Sequence, residues 1–224
     1  DKIDPSTFRS WMRAISRVRS SECAGTTRLP ILWLLRSGNE MEQNIRQWVR
    51  KEFGNEIMEE CLVFANVAER TEHLRRLGIA DVFLDTAAYG AHTLGCDALY
   101  MGVPMISLMR ETKSRGSNGD DSSRLALDDF ADVDSSNTSG NKSNIEMRDI
   151  ATNKLASKVG ASLLNAIGLD DLIYNNMDQY EDAMVRCALD EEWFHTIRHR
   201  LGSMKDSSTL FDTKRWVNNL EVAF

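Results

Sequence analysis

No apolar run among the 224 residues approaches the length that spans a bilayer, and the opening residues lack the basic-then-apolar pattern of a signal peptide. A basic surplus is missing too: 27 Lys and Arg stand against 34 Asp and Glu, for a net charge of -7. That balance excludes sequence-independent binding to nucleic acid or to an anionic membrane surface, both of which need a basic face. The four cysteines, Cys23, Cys61, Cys96 and Cys187, include no C-x-x-C pair, which excludes a zinc ribbon and a thioredoxin-like motif. Dispersed cysteines of this kind fit reduced, partly buried thiols in a cytoplasmic or nuclear protein. There is no G-x-G-x-x-G and no P-loop, and no repeat at a period of about 20 to 50 residues. The first residue is Asp1 rather than a methionine, and the chain reads as cut or partial.

What is present is a globular composition, 42% hydrophobic and 27% charged, long enough for one α/β domain with a core. Asp4-Pro5-Ser6-Thr7 supplies a cap and a first-turn proline for a helix over residues 4–20, with Phe8, Trp11, Met12, Ile15 and Val18 at helical spacing. Residues 31–35, an apolar run bounded by Pro30 and Ser37-Gly38, read as a strand buried on both faces. A helix through Asn44, Ile45, Trp48 and Val49 follows, then strands at 62–64, 81–85 and 105–108, with helices over 69–77 and 93–101 between them. Strands alternating with helices at this spacing predict βαβ units and a Rossmann-like parallel sheet with helices on both faces. Trp11, Trp33 and Trp48 are expected in the core.

The alternation breaks at residues 113–149, which are rich in Ser, Asn, Asp and Gly. Such a segment cannot bury enough apolar surface to offset its ordering entropy, and it reads as a disordered insertion. It divides the domain into a first part, residues 1–112, and a remainder, residues 150–224. Helical pattern resumes over 150–166, ends at Gly168 and continues in two or three helices.

The segment "DVFLDTAAYGAHTLGCDALYMGVPMISL", residues 81–108, has the layout of a nucleotide site: strand, small-residue loop, helix N-terminus, helix, turn, strand. Gly90 and Ala91 permit close backbone approach. The first amides of the helix, around His92, Thr93, Leu94 and Gly95, together with its dipole, suit a diphosphate. Asp97 is placed to accept from ribose hydroxyls, and ligands of open α/β sheets lie at the carboxyl ends of the strands, where this loop falls. The same pattern also fits an ordinary βαβ turn with a capping threonine.

"KIDPST" (2–7), "LWLLR" (32–36), "EHLRRLGIADVFLDT" (72–86), "HTLGCDALYMGVPM" (92–105), "LASKVGASLL" (155–164), "YEDAMVRCALD" (180–190) and "LFDTKRW" (210–216) together resemble the C-terminal catalytic lobe of the O-linked N-acetylglucosamine (O-GlcNAc) transferases, in order along the chain. The resemblance implies the C-terminal lobe of a GT-B glycosyltransferase that inverts the anomeric carbon. Its donor would be UDP-GlcNAc, with no metal, and its acceptors Ser or Thr of cytoplasmic or nuclear proteins. It also implies an N-terminal catalytic lobe and tetratricopeptide repeats as partners, neither recognisable in these residues. By resemblance Lys2 neutralises the leaving diphosphate, which is chemically sensible because departing UDP gathers negative charge. Ala68 through its backbone and Arg76 through its side chain hold the uracil. Arg70 replaces a family lysine near the nucleotide, His73 lies beside the uridine, His92, Thr93 and Leu94 form the phosphate loop, and Asp97 is the ribose carboxylate.

Three departures stand out. Leu94 replaces the second threonine of the family's H-T-T-G, Arg110 stands where glycine is usual, and the insertion separates that loop from Leu155. An O-fucosyltransferase of the SPINDLY type, using GDP-fucose, is the rival within the enzyme class. That branch carries a threonine-rich loop without the histidine, so His92-Thr93-Leu94-Gly95 favours UDP-GlcNAc. A non-catalytic nucleotide-sugar-binding or scaffold lobe is the rival outside it. His195 and His199, four apart on a helix, lack an evident third metal ligand. The Asp120-Asp121 and Asp128-Asp129 pairs read as solvated. The sequons at Asn137 and Asn141 matter only in a secreted protein.

Overall fold

The computed structural model describes residues 3–21, 29–109 and 155–223. Lys2, Cys23, Arg110 and the whole 113–149 segment, with its acidic pairs and sequons, lie outside them. The chain opens with helix α1, Pro5–Ser20. Asp4 caps it, its Oδ1 accepting from the Ser6 and Thr7 amides at 3.0 Å each, and Pro5 occupies the first turn, where a missing N–H costs nothing. Strand β1, Leu32–Leu35, leads through α2, Asn39–Phe53, and the short α3, Asn55–Glu60, to β2, Leu62–Ala65. Gly54, at φ 94°, joins the two helices in a conformation that L side chains rarely adopt. Helix α4, Arg70–Leu77, crosses to β3, Phe83–Leu84. Helix α5, Thr93–Tyr100, then returns to β4, Met105–Leu108. After a 3₁₀ turn at Leu155–Ser157 come α6, Val159–Ala166, and β5, Ile173–Tyr174. The chain closes with α7, Met177–Leu189, α8, Glu191–Lys205, and α9, Thr213–Ala223.

All strand pairings among the described residues are parallel. β1 pairs with β2, Leu32 opposite Leu62, and β3, β4 and β5 form a second set with β4 central. No ladder joins the two sets among the described residues. One core nevertheless runs through both, from Phe8, Trp11 and Met12 of α1 through Leu32, Leu34 and Leu62 to Met105, Ile106, Leu164 and Tyr180.

Strand β4 is buried at every position because α5, α6 and α7 all pack on it. Each of its large apolar side chains thereby contributes about 1.5–3 kcal/mol. β1 differs from the expectation of burial on both faces. Leu32 and Leu34 are buried, but Trp33 and Leu35 are 38% and 56% exposed, and Val63, beside Trp33 on β2, is also exposed. Helices cover one face of this pair and, among the described residues, nothing covers the other, so Trp33 is not a core tryptophan. Trp11 is buried and Trp48 packs at the core edge against Phe8. The third strand is shorter than expected, two residues rather than five. Within the expected helix over 150–166, the described part turns fully helical only at Val159. α3 and β5 were not foreseen, being too short to show a period.

Candidate functional site

The carboxyl ends of β1, β2 and β3 deliver Arg36, Asn66 and Asp85, and the N-termini of α4 and α5 lie just beyond in sequence. α5 begins without a side-chain cap: His92 precedes it and makes no capping hydrogen bond, so Thr93 is not a cap. The first backbone bond runs from the Cys96 amide to the His92 carbonyl, 3.2 Å. The amides of Thr93, Leu94 and Gly95 therefore have no partner among the described residues, which is the donor set an anion requires. Leu94 is 46% exposed and lacks a hydroxyl, but its amide remains in the set. Gly95 is buried because the helix passes close to its neighbours; a Cβ there would lie 2.9 Å from Ala91 Cβ and 3.0 Å from Leu163 Cδ1.

Arg70, at the start of α4, reaches across to α5 and donates from Nη2 to Asp97 Oδ1 at 3.1 Å. Arg70 is largely exposed, whereas the Asp97 side chain is 13% exposed. The carboxylate to which the resemblance assigns the ribose thus holds a cation in this structure. Arg76 donates from Nε to Glu72 Oε1 at 2.7 Å and from Nη1 to the Asn66 carbonyl at 3.4 Å. Arg36 donates to the Asn66 side-chain oxygen at 2.8 Å. The guanidiniums of Arg75 and then Arg76 hold the Glu72 carboxyl down to about 2, so Glu72 is a permanent anion that fixes Arg76 over the residues leading to Ala68. The half-buried Ala68 keeps its amide and carbonyl without partners among the described residues. The His73 Nε2 is buried and likewise unpartnered among them.

His92 stacks on Tyr89, with ring centroids 4.8 Å apart and planes within 17°, and its Nε2 lies 3.4 Å from the Ala156 carbonyl. The structure thus joins Arg70 to Asp97 directly, sets Arg76 beside the segment of Ala68, and makes His92, Thr93 and Leu94 one continuous turn. Among the described residues it gives the His73 Nε2 no partner. His195 pairs with Glu191, at 3.5 Å, rather than with His199. No group of three His, Cys, Asp or Glu among the described residues is arranged to hold a metal ion. No helix among them is long and apolar enough to cross a membrane.

Sequence reasoning missed Asp85, Ser107, Gly160 and Tyr180. Asp85 is 1% exposed. It accepts from the Thr86 amide at 2.9 Å, the Ala91 amide at 2.5 Å and the Ser107 hydroxyl at 2.6 Å. Burial pushes its carboxyl up, against those hydrogen bonds and the charge of His92. The signal available was Ser107 itself, a lone polar residue inside a strand buried at all four positions.

Parallel strands, a small-residue turn and bare helix amides at the strand ends define an α/β Rossmann-like lobe. The chain belongs to glycosyl transferase family 41, whose model matches residues 1–132 and 142–220. It is 29% identical over 220 residues, 98% of its length, to the UDP-N-acetylglucosamine--peptide N-acetylglucosaminyltransferase of Caenorhabditis elegans. It is also 29% identical over its full length to the probable enzyme of that name, SEC, of Arabidopsis thaliana. The chain spans 14% and 17% of these relatives. A mutant of the O-GlcNAc transferase of Thermobaculum terrenum superposes over 99% of this chain and 33% of its own, with a TM-score of 0.68 at 18% identity, a likeness of fold.

Proposed function

We propose that this lobe binds the nucleotide-sugar donor of a protein O-GlcNAc transferase, UDP-GlcNAc, and that the whole enzyme transfers N-acetylglucosamine to Ser or Thr of cytoplasmic or nuclear proteins. The observation that carries this reading is the run of three amides at Thr93, Leu94 and Gly95 that have no partner among the described residues, one turn from the Asp97 carboxylate. The amides and the helix dipole meet the diphosphate, and their pull on it grows as the sugar departs and charge gathers on UDP. Asp97 accepts from the ribose. Arg70, displaced from Asp97, keeps its charge beside the phosphates. Ala68 offers its backbone amide and carbonyl to the uracil, and Arg76 adds its guanidinium. In this scheme Lys2, by resemblance, supplies a cation to the leaving diphosphate. On this reading the helix amides and Lys2 would neutralise the leaving group without a metal, and the transfer would invert the anomeric carbon. An N-terminal catalytic lobe and tetratricopeptide repeats elsewhere in the whole protein would bring the acceptor.

The test is calorimetric titration of the 224-residue chain with UDP, UDP-GlcNAc and GDP-fucose, beside Lys2→Ala and Asp97→Ala. We expect uridine ligands to bind and each variant to lose about tenfold in affinity, the worth of one charge-assisted hydrogen bond. Preference for GDP-fucose reassigns the donor. A folded chain that binds no nucleotide overturns the reading.

A further inference from the structure

Asp85 follows the last residue of β3 and closes the loop in front of α5 on itself. Its Oδ1 accepts from the amides of both loop ends, Thr86 and Ala91, while its Oδ2 accepts from Ser107 of β4. One oxygen thus faces the loop and the other faces the sheet. The backbone carbonyl of Asp85 accepts from the Tyr180 hydroxyl at 2.7 Å, and that hydroxyl accepts from Trp11 Nε1 at 3.0 Å. Two glycines make room. A Cβ on Gly160 would overlap Asp85 Oδ2 and lie 2.8 Å from its Cγ, and a Cβ on Gly90 would come within 3.1 Å of the Ala156 carbonyl. The Gly90 amide donates to that same carbonyl at 2.8 Å.

We propose that Asp85 is a positioning residue for the nucleotide-sugar site: by accepting the Ala91 amide inward, it turns the amides of Thr93, Leu94 and Gly95, two to four residues further on, outward to the anion. The inference rests on the proposed function and extends it to a side chain that touches no substrate. A side chain that merely stabilises the fold would accept hydrogen bonds equally well, but it would leave the ligand affinity of the folded protein unchanged. What matters here is the acceptor facing the loop, not the charge. Asparagine at position 85 retains Oδ1 toward the two amides and turns Nδ2 to Ser107, whose hydroxyl can accept as readily as donate. Alanine removes the acceptor and leaves the Ala91 amide buried without a partner.

The experiment compares the unaltered chain with Asp85→Asn, Asp85→Ala and Asp85→Ser. UDP affinity is measured by calorimetry well below each melting temperature, with amide hydrogen exchange of residues 86–95 read in parallel. Asp85→Asn should bind within about threefold of the unaltered chain, while Asp85→Ala should lose about tenfold or more and exchange the Ala91 amide faster. Should Asp85→Ala fold poorly, Asp85→Ser, whose shorter side chain stops short of Ala91, should give the same loss in a folded protein. Unchanged affinity in a folded Ala or Ser variant overturns the proposal, and so does an Asn variant as weak as Ala, which would assign the effect to charge. Failure of the unaltered chain to bind UDP overturns the proposed function, and this inference with it; the two failures differ in which protein shows them.

Discussion

Replacing Tyr180 by phenylalanine removes one oxygen atom from a site that is fully buried. That oxygen joins three distant parts of the chain, accepting from Trp11 of α1 and donating to the Asp85 carbonyl at the end of β3. Burial pushes the phenol well above its ordinary range, so it is a neutral donor throughout physiological pH. Its loss strands two buried groups, the indole N–H and the carbonyl, each at a cost of about 1–3 kcal/mol. The void is too small to admit water, so neither group finds a substitute. We expect a net destabilisation of about 3 kcal/mol, since relaxation recovers part of the sum. For a domain of this size that lowers the melting temperature by roughly 6–12 °C. Circular dichroism through a thermal ramp measures it, with urea unfolding by tryptophan fluorescence as a check. The double variant Trp11→Phe/Tyr180→Phe should be more stable than the sum of the two single changes by roughly 1 kcal/mol, because the stranded donor is gone as well. A shift below about 2 °C for Tyr180→Phe refutes the idea that this hydroxyl ties α1 to the loop.

Other expectations follow from the same geometry. Glu181 is buried on α7 and accepts from Arg13 at 2.7 Å and Arg17 at 3.0 Å of α1. Both guanidiniums are about half exposed and can turn to water, so Glu181→Ala should cost only about 1–2 kcal/mol, less in high salt, as read by urea unfolding at two ionic strengths. Asp85 titrates above its ordinary 3.8 in the folded protein. Folding therefore holds its proton more tightly than the unfolded chain does, so its contribution is fully present below 3.8 and is lost as pH rises through the folded value. The stability of Asp85→Asn relative to the unaltered chain should accordingly increase over that pH interval. A flat difference across pH 3–8 would contradict it. Burial also pushes the thiols of Cys61 and Cys96 up, and that of Cys187 up to about 12. A disulfide reagent at pH 8 should titrate these three slowly in the native protein, and all four cysteines rapidly in urea.

Much of the lobe is legible in residue order. The Asp4-Pro5 cap, the apolar run of β4 and the small-residue turn before α5 are local signals, because a cap, a buried strand and a bare helix N-terminus are each set by a handful of adjacent residues. The Asp97 carboxylate and the amides of α5 could be placed on one helix from spacing alone. Its ion pair with Arg70, 27 residues away, could not. Asp85 was hidden more deeply. Its bonds to Thr86 and Ala91 lie within one loop, but Ser107 and Tyr180 stand 22 and 95 residues off. No period or motif marks a carboxylate that serves backbone amides.

By itself the sequence determined the kind and order of most elements, the parallel alternation and membership of the family, since these follow from periodicity, capping chemistry and segments kept in order. Only the tertiary structure decided which face of β1 and β2 is covered, which cation sits on Asp97, and how Asp85 divides its two oxygens between loop and sheet. Those are matters of through-space distance, settled when helices and strands far apart in the chain close around one core and each buried polar group must find its partner there.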